Sequence, residues 1–205
     1  MSGRCIYVDI DDVLSLTIES LIDLLERLHD RRVEVGDVRH FDLARSFDLE
    51  PQQLGPFMDH AHSDEVIEAI HPAAGAASVL DRWGEAGDRV SLITGRPPLT
   101  NAASLRWLET HGIRHESLHH LDKWNRPDWN SDRLPALRFE EIGEFGFDFA
   151  VEDSLETAVR LVEDFAVSVA LMDRPWNRGV SHLAPATRAA LVRCFDWGDV
   201  ERAFA

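Results

Sequence analysis

The stretch Val8-Asp9-Ile10-Asp11-Asp12-Val13-Leu14 begins at the last residue of an apolar run. That run is Cys5-Ile6-Tyr7-Val8. This run is rich in β-branched and aromatic residues and acids follow it at once, so it predicts a buried strand that ends at Asp9. Two carboxylates two positions apart at a strand end can point toward the same region. Close carboxylates repel each other, so one tends to hold a proton or a cation must neutralise them. The stretch therefore predicts a functional site at the end of the first strand.

Apolar patterning along the rest of the chain predicts alternating strands and helices. Further strands are predicted at 89–94, 147–151 and 167–171. Helices are predicted at 17–29, 74–86, 100–111 and 155–165, with a helical tail at 184–204. Residues 15–72 are interpreted as a mostly helical insertion and residues 113–140 as irregular. The alternation predicts an α/β fold whose parallel sheet is covered on both faces.

Polar side chains follow two of the other predicted strands. The first set is Thr94-Gly95-Arg96 and the second is Glu152-Asp153-Ser154. Ligands of parallel α/β sheets bind beyond the carboxyl ends of the strands, so both sets are candidates for the site. Arg96 could hold a substrate phosphate or form a surface salt bridge. Asp153 could bind a metal or simply favour the start of the next helix.

These residue types suit the chemistry of phosphate esters. An ionised Asp9 could attack phosphorus, and a protonated Asp11 could supply the leaving group with a proton. Magnesium prefers oxygen ligands and commonly binds one or two carboxylates together with a substrate phosphate, which makes Asp153 a natural further ligand. Thr94 could donate a hydrogen bond to a phosphoryl oxygen. Lys123 is the only lysine of the chain and the one candidate for a lysine that offsets phosphoryl charge.

Composition narrows the classes of partner and the expected location. The 205 residues include 37 acids against 21 Lys and Arg, a formal net charge of −16, so we expect no nucleic-acid polymer as partner. No apolar run approaches the roughly 20 residues of a membrane helix, and the start of the chain lacks a signal-peptide pattern. We therefore expect no membrane association and a cytoplasmic location. The pair His119-His120 is predicted to lie on the surface, because adjacent residues of an extended segment point apart.

The motifs and their order resemble those of the haloacid dehalogenase-like superfamily. Asp9-Ile10-Asp11-Asp12-Val13 resembles the first motif and Ile93-Thr94-Gly95-Arg96 the second. Lys123 resembles the third motif and Val151-Glu152-Asp153-Ser154 the fourth. The resemblance extends over roughly residues 4–172, and its first motif is the most specific.

This resemblance implies a fold and a division into domains. The fold is a Rossmann-like three-layer αβα core with a parallel sheet and a small, mostly helical cap. The core would comprise residues 1–14 and 73–205, and the cap, of type C1, residues 15–72.

The resemblance also implies an activity and a site. The chain would be a magnesium-dependent phosphatase, a phosphoric monoester hydrolase that works through an aspartyl-phosphate. Asp9 would be the nucleophile and Asp11 the acid and base. Thr94 and Lys123 would be catalytic contacts of the phosphoryl group, and the implied substrate-binding residues are Thr94, Gly95, Arg96 and Lys123. The implied magnesium ligands are Asp9, the main-chain carbonyl of Asp11, and Asp153.

One segment resembles a narrower branch, the cytosolic 5'(3')-deoxyribonucleotidases. This segment is Met172-Asp173-Arg174-Pro175-Trp176-Asn177. The branch implies a small phosphorylated substrate such as a 5'-nucleotide or 5'-deoxynucleotide. Two alternatives stay open: a phosphatase of a non-nucleotide ester, and a receiver-type regulatory protein that binds phosphate without turnover.

Two positions depart from the superfamily pattern. Asp12 stands where a glycine is usual, and Thr157 stands where the fourth motif has a further acid. Glu152 or a water could compensate for the second departure. Trp124 and Trp129 could stack on a base or pack against the cap.

Overall fold

The fold is built around a parallel sheet. The computed structural model describes residues 3–123, 126, 130–131 and 134–204. The strands are β1 (Cys5–Val8), β2 (Arg89–Thr94), β3 (Ser117–His120), β4 (Asn130–Ser131), β5 (Leu134–Pro135), β6 (Phe149–Glu152), β7 (Ser168–Met172) and β8 (Leu191–Cys194). Six of them form one sheet in the order β3-β2-β1-β6-β7-β8, in which all neighbours are parallel. Strands β4 and β5 form a separate antiparallel pair.

Helices cover both faces of this sheet. They are α1 (Thr17–His29), α2 (Leu43–Ser46), α3 (Pro51–Ala61), α4 (Asp64–Ala69), α5 (Ala76–Glu85), α6 (Asn101–Thr110), α7 (Leu155–Phe165), α8 (Pro185–Ala189) and α9 (Trp197–Ala203). Ile6 and Val8 of β1 pack with α5, α6 and α9, whereas Cys5 and Tyr7 pack with α7. Successive residues of a strand point to opposite faces, so the sheet is the middle of three layers. The predicted α/β fold is confirmed.

The segment between β1 and α5 has a hydrophobic cluster of its own. The chain leaves the sheet and returns beside itself, because Leu16 N donates to His71 O at 2.8 Å and Ala73 N donates to Leu14 O at 2.7 Å. Between these points lie α1 to α4, whose apolar side chains pack together. The division into a core and a type C1 cap remains a prediction. None of the helices of the described residues is both long and apolar enough to cross a membrane.

Two strands of the six-stranded sheet were not predicted from the sequence, and neither was the short pair β4 and β5. Strand β3 lies in the segment expected to be irregular, and β8 interrupts the tail expected to be helical. Both are edge strands of the sheet. An edge strand has neighbours on one side only, so it needs less apolar surface than a central strand. Their short and partly polar sequences therefore carry a weak strand signal.

The prediction of two surface histidines is wrong for His120. Its side chain is 1% exposed at the end of β3. One ring nitrogen, Nδ1, lies 2.8 Å from Arg96 O, and the other, Nε2, lies 3.1 Å from Asn101 Oδ1. His119 points the other way, is half-buried and packs edge-on against Phe145. Because β3 pairs with β2, one of the two adjacent histidines has to face the interior.

Candidate active site

The candidate residues meet at the carboxyl edge of the central strands. Asp9 directly follows β1, Thr94 ends β2, and Glu152 ends β6. The main chain at Asp9 is still held by the sheet, because its N–H donates to Val151 O at 3.0 Å. The rule that ligands bind beyond the strand ends of a parallel sheet therefore points to this edge.

Three buried carboxylates lie together there and form what we call the acid trio: Asp9, Glu152 and Asp153. They offer oxygen atoms that all lie within 4.8 Å of one another. Burial, followed by the charge of Glu152, raises the pKa of Asp9 well above its ordinary value. Burial, followed by the charge of Asp9, does the same to the pKa of Asp153. The metal-free trio is therefore a site of strong mutual repulsion.

Lys123 supplies positive charge to the acid trio. Its Nζ donates to Glu152 Oε1 at 3.1 Å, and Tyr7 donates its hydroxyl proton to Glu152 Oε2 at 3.4 Å. Burial alone would lower the pKa of Lys123, but the charges of Glu152, Asp9 and Asp153 raise it above its ordinary value. Lys123 is thus held as a cation beside Asp9. Three ionised carboxylates would outweigh the single charge of this lysine.

The acid trio fits a divalent cation that prefers oxygen. Among the described residues, Asp9 Oδ1 is the buried side-chain oxygen without a hydrogen-bond partner. A buried acceptor without a donor is costly, and a bound cation would remove that cost as well as the repulsion between the acids. Asp9 and Asp153, both implied as metal ligands, are brought together. The side chain of Asp11 does not join them, and the role implied for this residue concerns its main-chain carbonyl.

Asp11 instead forms an ion pair with Arg96. Arg96 Nη2 donates to Asp11 Oδ1 at 2.7 Å, and Arg96 Nε lies 3.0 and 3.1 Å from the two carboxylate oxygens. Arg96 is 4% exposed and also donates to Ser104 Oγ at 3.3 Å. Burial would raise the pKa of Asp11, but the charge and hydrogen bonds of Arg96 bring it below its ordinary value. Arg96 is therefore a buried partner of Asp11, and the salt bridge predicted as one alternative is not on the surface.

Two threonines also donate to the Asp11 carboxylate. Thr94 Oγ1 lies 3.5 Å from Asp11 Oδ2 and accepts the main-chain N–H of Arg96 at 3.2 Å. Thr17, at the start of α1, donates to Asp11 Oδ1 at 2.6 Å. Gly95 lies between the two residues that contact Asp11. The second motif is therefore assembled around Asp11, while Lys123 lies with the acid trio.

The conformation of Asp12 accounts for its departure from the superfamily pattern. Its φ of 55° lies in the left-handed region, which glycine adopts freely and aspartate tolerates better than most residues. Its carboxylate also accepts the main-chain N–H of Ile18 at 3.1 Å, near the start of α1. Its main-chain carbonyl accepts from Arg174 Nε at 3.0 Å. Asp12 thus retains the backbone shape that a glycine would provide and adds a helix-capping side chain.

The second departure, at Thr157, lies next to the acid trio. Thr157 Oγ1 lies 3.1 Å from Ser154 Oγ, whose oxygen also accepts the Thr157 N–H at 3.3 Å. The hydroxyl of Thr157 also interacts with Glu152, the third acid of the cluster, and this hydrogen bond opposes the rise that burial causes in the pKa of Glu152. Trp124 and Trp129, considered for stacking on a base, lie outside the described residues.

Thr17, Trp176 and Tyr7 contact the site, and the sequence patterns indicated none of these contacts. Thr17 gave no signal, because a threonine at the start of a helix is ordinary. Trp176 lies in the segment that resembles the deoxyribonucleotidases, but no role followed from that resemblance. Its indole N–H donates to Asp153 Oδ2 at 2.8 Å.

Comparison with solved structures identifies the fold. A hydrolase from Streptococcus pneumoniae, named as a haloacid dehalogenase-like family protein, superimposes with a TM-score of 0.65, and 99% of each chain is covered at 10% identity. The chain has the haloacid dehalogenase-like fold. A hydrolase of the same family from Deinococcus radiodurans, with bound phosphate and sodium, gives a TM-score of 0.57 at 15% identity, covering 94% of this chain and 91% of the other.

Sequence comparison adds a more similar protein. A provisionally named nucleotidase of Halalkalibacterium halodurans is 25% identical over 194 residues, which cover 95% of this chain and 89% of the relative. No family model matches the chain. The fold implied by the resemblance to the haloacid dehalogenase-like superfamily is therefore confirmed by the solved structures.

Proposed function

We propose that this protein is a magnesium-dependent phosphomonoesterase that works through an aspartyl-phosphate on Asp9. The observation that carries the proposal is the buried acid trio, with its unpartnered Asp9 oxygen and the neighbouring Lys123. The haloacid dehalogenase-like fold and the hydrolase and nucleotidase names of its relatives support a phosphatase.

The first step transfers the phosphoryl group to the enzyme. An oxygen of the ionised Asp9 attacks phosphorus, the bond from phosphorus to the ester oxygen breaks, and the leaving oxygen takes a proton from Asp11, which would first be released from Arg96 and protonated from solvent. Lys123 stands beside Asp9 and offsets the negative charge of the phosphoryl oxygens. Asp9 and Asp153, with the main-chain carbonyl of Asp11, would hold magnesium, which when bound neutralises charge on the carboxylates and the phosphate.

The second step returns the enzyme to its starting state. A water molecule attacks phosphorus, the bond from phosphorus to the Asp9 oxygen breaks, and inorganic phosphate leaves. A base has to accept one proton from the water, and Asp11 is our candidate for it. The side chain of Asp11 is 28% exposed, so water can reach its carboxylate.

Arg96 sets a condition on this role of Asp11. In the present arrangement both Asp11 oxygens accept hydrogen bonds from Arg96, so the carboxylate is held as an anion. We propose that the substrate phosphate competes for the Arg96 guanidinium, which matches a phosphate as well as a carboxylate. Asp11 would then be released to exchange protons with the leaving oxygen and the water.

We propose a small phosphorylated metabolite such as a 5'-nucleotide or 5'-deoxynucleotide as the substrate. The resemblance of residues 172–177 to the deoxyribonucleotidases and the name of the Halalkalibacterium halodurans relative support this choice. The net charge of −16 disfavours a nucleic-acid polymer. A non-nucleotide phosphate ester is the alternative.

The proposal is tested with the purified protein, magnesium and 4-nitrophenyl phosphate, followed by a panel of nucleotides, sugar phosphates and other phosphorylated metabolites. We expect turnover that stops when a chelator removes the metal and returns with added magnesium. Preference for a nucleotide would support the narrower substrate, and equal rates on all classes would contradict it. Uptake of one phosphoryl group per chain without further turnover would instead indicate a receiver-type protein.

A further inference from the structure

The loop after β7 contacts the acid trio through one side chain. Trp176 Nε1 donates to Asp153 Oδ2 at 2.8 Å. This bond engages one oxygen of a carboxylate that is itself 4% exposed. Outer hydrogen bonds of this kind orient metal-binding side chains and influence their affinity for the metal.

The residue next to Trp176 fixes this loop on the fold. Asn177 is fully buried, and its Nδ2 donates to Asp153 O and to Met172 O, both at 2.7 Å. Its Oδ1 accepts from Arg193 Nη1 at 2.8 Å. Both the main chain and the side chain of Asp153 are therefore held from the same loop. The position of the indole is set by buried contacts rather than by chance at the surface.

The ring of Trp176 also contacts the helical segment that follows β1. It packs against the hydrophobic cluster formed by Ile18, Leu25, Phe57 and their neighbours. All the other described members of that cluster lie between residues 18 and 66. Trp176 thus connects the predicted cap with a carboxylate of the acid trio.

We propose that Trp176 is a positioning residue for the metal site. Its N–H holds the Asp153 carboxylate in one orientation, and its ring fixes that orientation relative to the helices of residues 15–72. The inference rests on the proposed function, because it assigns to Asp153 the binding of magnesium. Trp176 itself contacts neither the phosphoryl group nor Asp9 in this role.

The test is the substitution Trp176→Phe, which keeps an aromatic ring against the helical cluster and removes the N–H donor. We expect the Kd of magnesium for the substrate-free protein, measured by titration calorimetry, to rise about tenfold. At saturating magnesium we expect kcat to stay within about twofold of the wild-type value, since the variant affects orientation and not reacting atoms. Trp176→Leu also lacks the donor and should show the same rise in Kd.

Trp107→Phe is the matched control. Trp107 is a buried tryptophan whose Nε1 donates to Ile70 O at 2.7 Å, away from the acid trio. We expect its magnesium Kd to remain at the wild-type value. A wild-type Kd in both Trp176 variants would overturn the inference, as would an equal rise in the control. A wild-type protein that binds no magnesium would overturn the proposed function together with the inference, which distinguishes the two failures.

Discussion

Asp9 and Asp11 lie two residues apart on one loop, yet the fold gives them opposite surroundings. Asp9 lies among acids, has an oxygen without a partner, and has a raised pKa. Asp11 is held by a buried arginine and two threonines and has a lowered pKa. The two carboxylates are therefore prepared for different tasks. Asp9 has an oxygen available for a cation or phosphorus, and Asp11 has to be released by a competitor for Arg96.

The difference shows that partners, and not residue type, determine what each acid can do. Coulomb repulsion within the acid trio destabilises the folded protein when no metal is bound. The ion pair satisfies the buried guanidinium of Arg96 and the half-buried carboxylate of Asp11. Similar substitutions in the two regions should therefore give effects of different kind and sign.

The largest effect is expected for Asp9→Asn. Loss of the nucleophile should reduce kcat on 4-nitrophenyl phosphate by about a thousandfold or more. Asp148→Asn is the control, since Asp148 Oδ2 accepts from Cys5 N at the opposite end of the same strand, at 2.7 Å. The control should keep its kcat. Near wild-type turnover in Asp9→Asn would remove Asp9 from the mechanism.

Asp11→Asn tests the ion pair of Asp11 and Arg96 through the free energy of unfolding. It leaves the buried Arg96 without its counter-charge, so the free energy of unfolding in urea should fall by about 2–3 kcal/mol. The double variant Asp11→Asn/Arg96→Met should recover part of that loss, because the unpaired charge is gone. An unchanged stability of the single variant would show that the ion pair is not maintained in solution.

Asp153→Asn should change the free energy of unfolding in the opposite direction. In metal-free protein it removes one negative charge beside Asp9, and its side-chain oxygen can still accept from Trp176. We expect the free energy of unfolding to rise by about 1 kcal/mol, and the stabilisation by added magnesium to disappear. A loss comparable to that of Asp11→Asn would make the two regions electrostatically alike and contradict the comparison.

The smallest effect is expected for Asp12, the residue next to Asp11. Asp12→Gly suits the left-handed backbone but loses the bond to Ile18 N, so its unfolding free energy should stay within about 1 kcal/mol of wild type. Asp12→Ala loses the same bond and retains the backbone cost, so it should be about 1 kcal/mol less stable than the glycine variant. Equal stability of the two would mean that the backbone conformation carries no cost.

Local sequence signals were sufficient for the central fold. Strands β1, β6 and β7 are mostly apolar and β2 has three apolar residues, because a central parallel strand is buried on both faces. The edge strands β3 and β8 could not be found in this way. Their strand conformation depends on pairing with a neighbour that only the tertiary fold provides.

The candidate site could likewise be predicted only in part from local sequence. Asp9 and Asp153 were placed together because strand ends of one sheet share an edge, and the structure brings them together. The bond between Arg96 and Asp11 was not foreseen, since it depends on side-chain direction in a loop. The contact from Thr17 depends on how the segment 15–72 packs on the sheet, and the contact from Trp176 depends on how Asn177 fixes the loop after β7. No local spacing encodes that packing.

The most direct test of the account is chemical trapping of the phosphorylated aspartate. The Asp11→Asn variant is mixed with excess 4-nitrophenyl phosphate and magnesium, because this leaving group needs little help from an acid while breakdown of the intermediate is slowed. Borohydride then reduces an acyl phosphate to the alcohol, and peptide mass spectrometry locates the change. We expect a burst of about one 4-nitrophenolate per chain and homoserine in place of Asp9. The same burst with the change at another residue would contradict it.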